Sequence, residues 1–144
     1  MLVGIKSEIE KEIEVIMVGE NNSMENLEFV LKKLLKNNPN IIIAIITSME
    51  GLPILSILPR RYDETRLSAM VATLLSLSER TVIDMDIGEF NQLYIKGNDG
   101  YLLVFEAEPA VLAVSTTEKV KLGLIFHECE RTSHEISRIL RKEK

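Results

Sequence analysis

The stretch IIIAIITSMEGLPILSIL, residues 41–58, says more about the fold class than any other part of the chain. Ile41 to Thr47 is β-branched and apolar on both faces, which predicts a central strand covered on each side. The turn that follows contains Gly51, which supplies a positive φ, and Leu52 to Leu58 returns as a second strand. Because Pro53 has no amide hydrogen for a sheet hydrogen bond, we expect this second strand at an edge.

An amphipathic helix is predicted before this hairpin. Leucine and valine recur at intervals of three and four from Leu27 to Leu35, while glutamate and lysine take the opposite face. Ser23 is the expected N-cap of a helix running from Met24 to about Asn37. Pro39 ends it, because proline disfavours helical backbone at the preceding residue.

Residues 1–22 precede this helix and form an N-terminal extension in our division of the chain. Isoleucines at helical spacing predict a helix from Met1 to Gly19, although Glu8 to Ile13 also alternates like a strand. A polar break, Glu20 to Ser23, follows. The charged residues in this extension are incompatible with a secretory signal, so we expect a cytoplasmic protein.

A long helix is predicted downstream of the first hairpin, from Glu64 to about Met85, with Asp63 as its N-cap. It has two stripes: one is apolar (Leu67, Val71, Leu74, Leu75) and the other has small side chains (Ala69, Ala72, Thr73, Ser76). Burial on two sides would explain this pattern. The second stripe could contact a partner helix or lie close under its own sheet, and the sequence leaves both open.

Three more strands and a last helix complete the predicted order. Glu89 to Lys96 and Tyr101 to Glu106 form a hairpin around the turn 97–100, and Val111 to Val114 fits a central strand. Residues 115–118 match a capping box, so we expect the last helix to begin there. Its apolar stripe consists of Leu122, Ile125, Cys129, Thr132, Ile136 and Ile139.

The amino-acid composition limits which partners and which functions the protein can have. The 144 residues suit one domain, and 46% hydrophobic with only 5% aromatic residues predicts an aliphatic core between helices and a sheet. A formal charge of −5 disfavours nucleic acid as the main partner. The longest apolar run, Ile41 to Ile46, is far shorter than the about 20 residues that a membrane span needs, so we expect no membrane insertion.

Three groups of residues could form a catalytic or ligand-binding site, but a structural role explains each group better. Cys129 lies in an apolar stripe, and His127 and His134 do not share its side of the helix, so we expect neither a metal site nor a nucleophile. The turn 97–100 lacks the lysine and helix of a phosphate loop. The acidic residues Asp84, Asp86 and Glu89 suit a solvated helix end better than a cation site. We therefore expect a protein without catalytic residues or cofactors.

Three local phrases, in this order and spacing, resemble the Roadblock family, named for a dynein light chain, and in particular its prokaryotic regulators of GTPases. They are TSMEGLPI (47–54), AMVATLLSLSER (69–80) and KLGLI (121–125). The resemblance covers about residues 23–141. It implies an α/β fold with profilin-like layering: a five-stranded antiparallel sheet with the long helix on one face and the N- and C-terminal helices on the other.

The resemblance further implies a homodimer that binds a Ras-like small GTPase and modulates its nucleotide state or localisation. Paired central helices and sheet edges would place the following residues at the dimer interface: Ala69, Ala72, Thr73, Ser76, Arg80, Phe90 and Tyr94. Partner binding is assigned to the loop around the start of the central helix, namely Arg60, Arg61, Glu64 and Arg66, although a solvated charged loop explains these equally simply. Two other functions stay open: a small-ligand sensor of profilin-like layout, and a scaffold subunit that pairs with a different Roadblock chain.

Overall fold

The structure, a computed structural model, describes residues 18–142. The elements follow the chain order α1-β1-β2-α2-β3-β4-β5-α3. The helices are α1 (Val18–Asn37), α2 (Glu64–Asp84) and α3 (Leu122–Arg141). The strands are β1 (Ile41–Ser48), β2 (Pro53–Ile57), β3 (Gln92–Lys96), β4 (Gly100–Ala107) and β5 (Ala110–Thr117).

The strands form one antiparallel sheet in the order β2-β1-β5-β4-β3. Its centre is β5, where Val114 lies opposite Ala44 of β1 on one side and Leu103 of β4 on the other. The edge strands are β2 and β3. The predictions of an edge position for Pro53 and of an interior strand at Ile41 to Thr47 are therefore confirmed.

The helices cover the two faces of the sheet as predicted. Alternate residues of each strand point to opposite faces, so Ala44 and Ile46 join the core cluster under α1 and α3, whereas Ile45 joins the cluster under α2. The first cluster is the larger and contains Phe105, the largest fully buried side chain. The predicted α/β fold with one helix on one face and two on the other is confirmed.

Two tight turns have the predicted chemistry. Gly51 has a φ of +92°, and its amide donates to the carbonyl oxygen of Ser48 at 3.0 Å, which closes the β1–β2 turn. The amide of Gly97 donates to the carbonyl oxygen of Gly100 at 2.8 Å and closes the β3–β4 hairpin. Both strand pairs are therefore held at one end by short local turns.

The predicted starts of two helices are wrong. The first helix begins at Val18, so Ser23 lies within α1, where it is buried and has no capping position. The last helix begins at Leu122 with Lys121 as its N-cap, because residues 115–117 continue β5 and pair with both β1 and β4. Pairing on both sides, with Thr116 buried, outweighs one capping hydrogen bond.

Smaller differences concern β3 and the N-terminal extension. The strand predicted from Glu89 begins at Gln92, after Asp86 and Gly88 have taken positive φ values of 57° and 100°. Residues 1–17 lie outside the described part, as does nearly all of the helix predicted from Met1 to Gly19, and the division at residue 22 stays a prediction. No helix between residues 18 and 142 is both long and apolar enough to cross a membrane.

Candidate protein-binding surface

Helix α2 is held firmly at its start. Asp63 has extended backbone angles, and its Oδ1 accepts a hydrogen bond from the amide of Arg66 at 3.2 Å. The helix packs on β1, β2 and β5, mainly through Val71 and Leu75. Helix α2 therefore covers the part of the sheet face formed by β2, β1 and β5, and it covers β4 and β3 less.

A row of apolar side chains faces this less covered side. Its members follow intervals of three, four and three residues: Leu67, Met70, Leu74 and Leu77. We call these four residues the α2 seam, because this spacing is the pattern by which one helix packs against another. Met70 is 49% exposed and Leu77 is 63% exposed. The seam thus holds large apolar side chains that the chain itself leaves partly in water.

An apolar hollow connects the seam to the sheet. Its volume is about 150 Å³, and its lining contains Leu67, Met70, Val71, Leu74, Ile43, Ile45, Leu102, Ala113 and Ser115. Three more exposed apolar side chains follow at the end of α2 and in the next loop: Ile83, Met85 and Ile87. The seam and the hollow together form the kind of exposed apolar area that is typical of a surface that binds another protein.

The edge strand β3 borders this area. Among residues 18–142 it pairs only with β4, so its outer side presents backbone groups that can extend the sheet. Ile95 is 44% exposed and lies opposite Leu102, on the α2 side. Tyr94 points to the other face, where its ring packs edge-on against Phe126 with centroids 5.6 Å apart.

The predicted interface stripe of small residues divides into two groups. Ala72 is only 6% exposed, and a Cβ on Gly51 would lie 3.3 Å from the Cβ of Ala72 and 3.1 Å from the Cα of Ala69. Close packing of the β1–β2 turn on α2 therefore explains Ala72, whereas Ala69 contacts the turn through its backbone and is itself exposed. Thr73 and Ser76 are exposed, and for them contact with a partner stays a prediction.

The other three predicted interface residues, Arg80, Phe90 and Tyr94, do not lie together in the structure. Arg80 is exposed and forms an ion pair with Asp84, with Nε and Oδ2 3.2 Å apart. Phe90 is half-buried and packs into the core cluster under α2, whereas Tyr94 lies on the opposite sheet face. Of these three residues, Arg80 lies on the same helix as the seam.

The predicted partner-binding residues gather at the N-terminal end of α2. Arg60, Arg61, Glu64 and Arg66 are all exposed. The guanidinium of Arg61 stacks over the ring of Tyr62 at 4.7 Å and donates to its hydroxyl at 2.9 Å. This contact restricts the side chain of Arg61. The role of these four residues in binding a partner stays a prediction.

Two carboxyl groups meet between α2 and the sheet. The hydrogen bond between Glu79 of α2 and Glu106 of β4 raises the pKa of Glu106 to about 7, and burial and the charges of Glu79 and Glu108 add to the shift. A proton shared by the pair therefore joins α2 to β4 at acidic and neutral pH.

The residues considered for chemistry do not assemble into a site. Cys129 is fully buried, and burial, with the charge of Glu128, raises its pKa to about 12. His127 and His134 lie on the exposed side of α3. Among residues 18–142, no three His, Cys, Asp or Glu side chains are grouped so that they could hold a metal ion.

Met70 and Leu77 are the surface residues that sequence reasoning missed. The signal was present, because Leu67, Met70, Leu74 and Leu77 have heptad spacing. The position of α2 over the sheet was needed to separate this seam from the buried stripe of Val71 and Leu75.

A family model, a curated relative and solved structures each match this chain. A model of the Roadblock/LC7 domain matches residues 28–116. The protein MJ1340 of Methanocaldococcus jannaschii is 32% identical over 93 residues, which are 65% of this chain and 82% of that protein. The gliding protein MglB of Thermus thermophilus has a similar structure, with a TM-score of 0.76, 21% identity and coverage of 83% of this chain and 92% of that chain. An MglB structure in a tetrameric arrangement has a TM-score of 0.75 and 19% identity, and the match covers 85% of this chain and 93% of that chain.

Proposed function

Because the chain belongs to the Roadblock/LC7 family, we propose that it is a non-catalytic, cytoplasmic regulator that forms a homodimer through the α2 seam and binds a Ras-like small GTPase. The GTPase is the partner that the family resemblance implies. The dimer is the assembly that the exposed seam supports.

The observation that carries the proposal is the seam beside an uncovered part of the sheet. In a twofold dimer, the same surface patch of both copies meets, so the seam of each α2 packs on the seam of the other. Complete burial of a Leu or Met side chain contributes about 1.5–3 kcal/mol. Met70 and Leu77 each leave about half of their surface available, so the two copies together would gain several kcal/mol.

Light scattering of the wild type and of Leu77→Glu tests the dimer. We expect two copies in the wild-type particle and one in the variant, because the substitution places a charged carboxylate from each copy in an apolar interface. Leu124→Glu is the matched control, since Leu124 is also helical and 55% exposed but lies on the opposite sheet face. Circular dichroism should show the same fold for all three. A monomeric wild type, or an unchanged Leu77→Glu dimer, would contradict the proposal.

Calorimetric titration with each Ras-like GTPase of the same cell tests the partner. The assay is run with GDP and with a non-hydrolysable GTP analogue, because a regulator of nucleotide state should bind one state more tightly. Arg60→Glu/Arg61→Glu should weaken binding, whereas the equally charged change Lys32→Glu/Lys33→Glu on α1 should not. The absence of binding in both nucleotide states would refute the GTPase as partner and leave the scaffold function.

The hollow beside α2 gives little support to the ligand-sensor alternative. The hollow beside α2 has a volume of about 150 Å³, whereas small-molecule sites occupy about 300–1,000 Å³ and contain polar groups that orient the ligand. Its lining is apolar apart from Ser115. This hollow suits apolar side chains of a second copy better than a polar metabolite.

A further inference from the structure

The outer surface of α3 carries a row of basic and imidazole side chains that the proposed dimer does not use. Five residues recur at intervals of three and four along one exposed side of the helix, opposite its buried stripe, and the C-cap Lys142 follows them: His127, Arg131, His134, Arg138, Arg141 and Lys142. We call this set the α3 basic row. It lies on the side of the sheet opposite α2, and its C-terminal half lines an open hollow together with Glu106, Ala107 and Glu108.

The cations of this row are largely free of internal partners. Within the described part of the chain, the side chains of Arg131 and Arg138 form no hydrogen bond or ion pair. Arg141 has one distant partner, Glu108, with Nη2 and Oε2 3.6 Å apart and both side chains more than half exposed. Exposed pairs of this kind contribute little. The row can therefore bind an anionic partner without breaking a strong internal contact.

The shape of the row limits which partner fits. From His127 to Lys142 it extends about 22 Å at 1.5 Å per helical residue, but it is only about one side chain wide. Glu130 borders it on one side, and Glu128 and Glu135 border it on the other. A broad polyanion such as a membrane would also approach these carboxylates, and it would meet a chain with a formal charge of −5. A narrow acidic rod can contact the row without approaching these carboxylates.

We propose that the α3 basic row is a docking site for an acidic α-helix of a partner protein, whose carboxylates repeat at intervals of three and four residues. Such a helix lies alongside α3 and matches its cations one turn at a time. Leu124, one turn before His127 and 55% exposed, provides an apolar contact at one end of the row. Because the row and the α2 seam lie on opposite faces of the sheet, both can be occupied at once.

Fluorescence anisotropy with two synthetic peptides tests the proposal on the full-length protein. The probe is an alanine-based helix of about 15 residues with Glu at positions i, i+4, i+7 and i+11, which spans the length of the row. Its control has Gln at the same positions. We expect the Glu peptide to bind and the Gln peptide to bind at least about tenfold more weakly, with both affinities converging as salt shortens the Debye length below about 10 Å.

Charge-reversal variants locate the site. Arg131→Glu/Arg138→Glu should weaken binding of the Glu peptide at least about tenfold, whereas a peptide with Lys at the same positions should then bind the variant, since the charges have been exchanged. Arg60→Glu/Arg61→Glu makes the same change in net charge elsewhere and should leave binding intact. Equal losses in both variants would overturn the proposal. So would co-sedimentation with phosphatidylserine vesicles through Arg131 and Arg138 when the Glu peptide does not bind.

Discussion

Replacement of Gly51 by alanine should destabilise the protein much more than replacement of Gly88, although both glycines have φ values that side chains rarely adopt, +92° and +100°. A left-handed backbone costs a residue with a Cβ about 1–2 kcal/mol, and the stiffer unfolded chain returns about 0.4–1 kcal/mol. These contributions apply equally to Gly51 and Gly88. Together they lower the free energy of unfolding by about 1 kcal/mol in both variants.

The difference arises from what the added Cβ contacts. At Gly88 no atom lies within 4 Å, whereas at Gly51 the Cβ would lie 3.1 Å from the Cα of Ala69 and 3.3 Å from the Cβ of Ala72. Ala69 belongs to the backbone of α2, so the turn or the helix has to move. Overpacking of this kind costs about 1–3 kcal/mol, which brings the total for Gly51→Ala to about 3 kcal/mol.

Urea and thermal unfolding of both variants measure this difference. Both variants are measured at the same protein concentration, because self-association would raise the apparent stability. We expect Gly51→Ala to melt several degrees below Gly88→Ala, since each kcal/mol lowers the melting temperature by about 2–4 °C. Equal melting temperatures would refute the close approach of the β1–β2 turn to α2. A loss for Gly88→Ala as large as that for Gly51→Ala would show that backbone strain alone sets the cost.

Two further predictions follow from the raised pKa values. Because the pKa of Glu106 is raised to about 7 when folded, the folded state holds a proton that the unfolded state releases near pH 4.5. Stability should therefore be greatest below that pH and decline as pH rises through 7, whereas Glu106→Gln should flatten the profile of melting temperature against pH. A profile of unchanged slope would contradict the shared proton with Glu79. Burial and a pKa of about 12 should keep Cys129 from reacting with a disulfide reagent at pH 8 until urea is added, and rapid native labelling would contradict its placement.

The parts of the fold that were predictable have local causes. Gly51 with its positive φ, Pro53 at an edge and Asp63 as a cap each act through backbone chemistry within a few residues, and all three are found as expected. The wrong helix start at residue 115 has a distant cause. There, pairing with β1 and β4, far away in sequence, outweighs a local capping pattern.

The candidate surface was only partly predictable for a similar reason. Helical periodicity shows which side chains share a side of α2, but it does not show how far across the sheet the helix lies. With α2 over β2, β1 and β5, the side holding Ala69 and Ala72 meets the β1–β2 turn, and the side holding Met70 and Leu77 is left open. The sequence contained both rows and no means of choosing between them.

The position of β5 in the sheet has a consequence for how the chain assembles during synthesis. It is the last strand to be made, yet it alone joins the β1–β2 and β3–β4 hairpins. Until it leaves the ribosome, the two hairpins share no hydrogen-bonded edge, and the edges of β1 and β4 that later pair with β5 are free. Because isolated hairpins are at best marginally stable in water, the domain cannot consolidate before its last quarter is translated, and the interval before then is when chaperones have most reason to bind it.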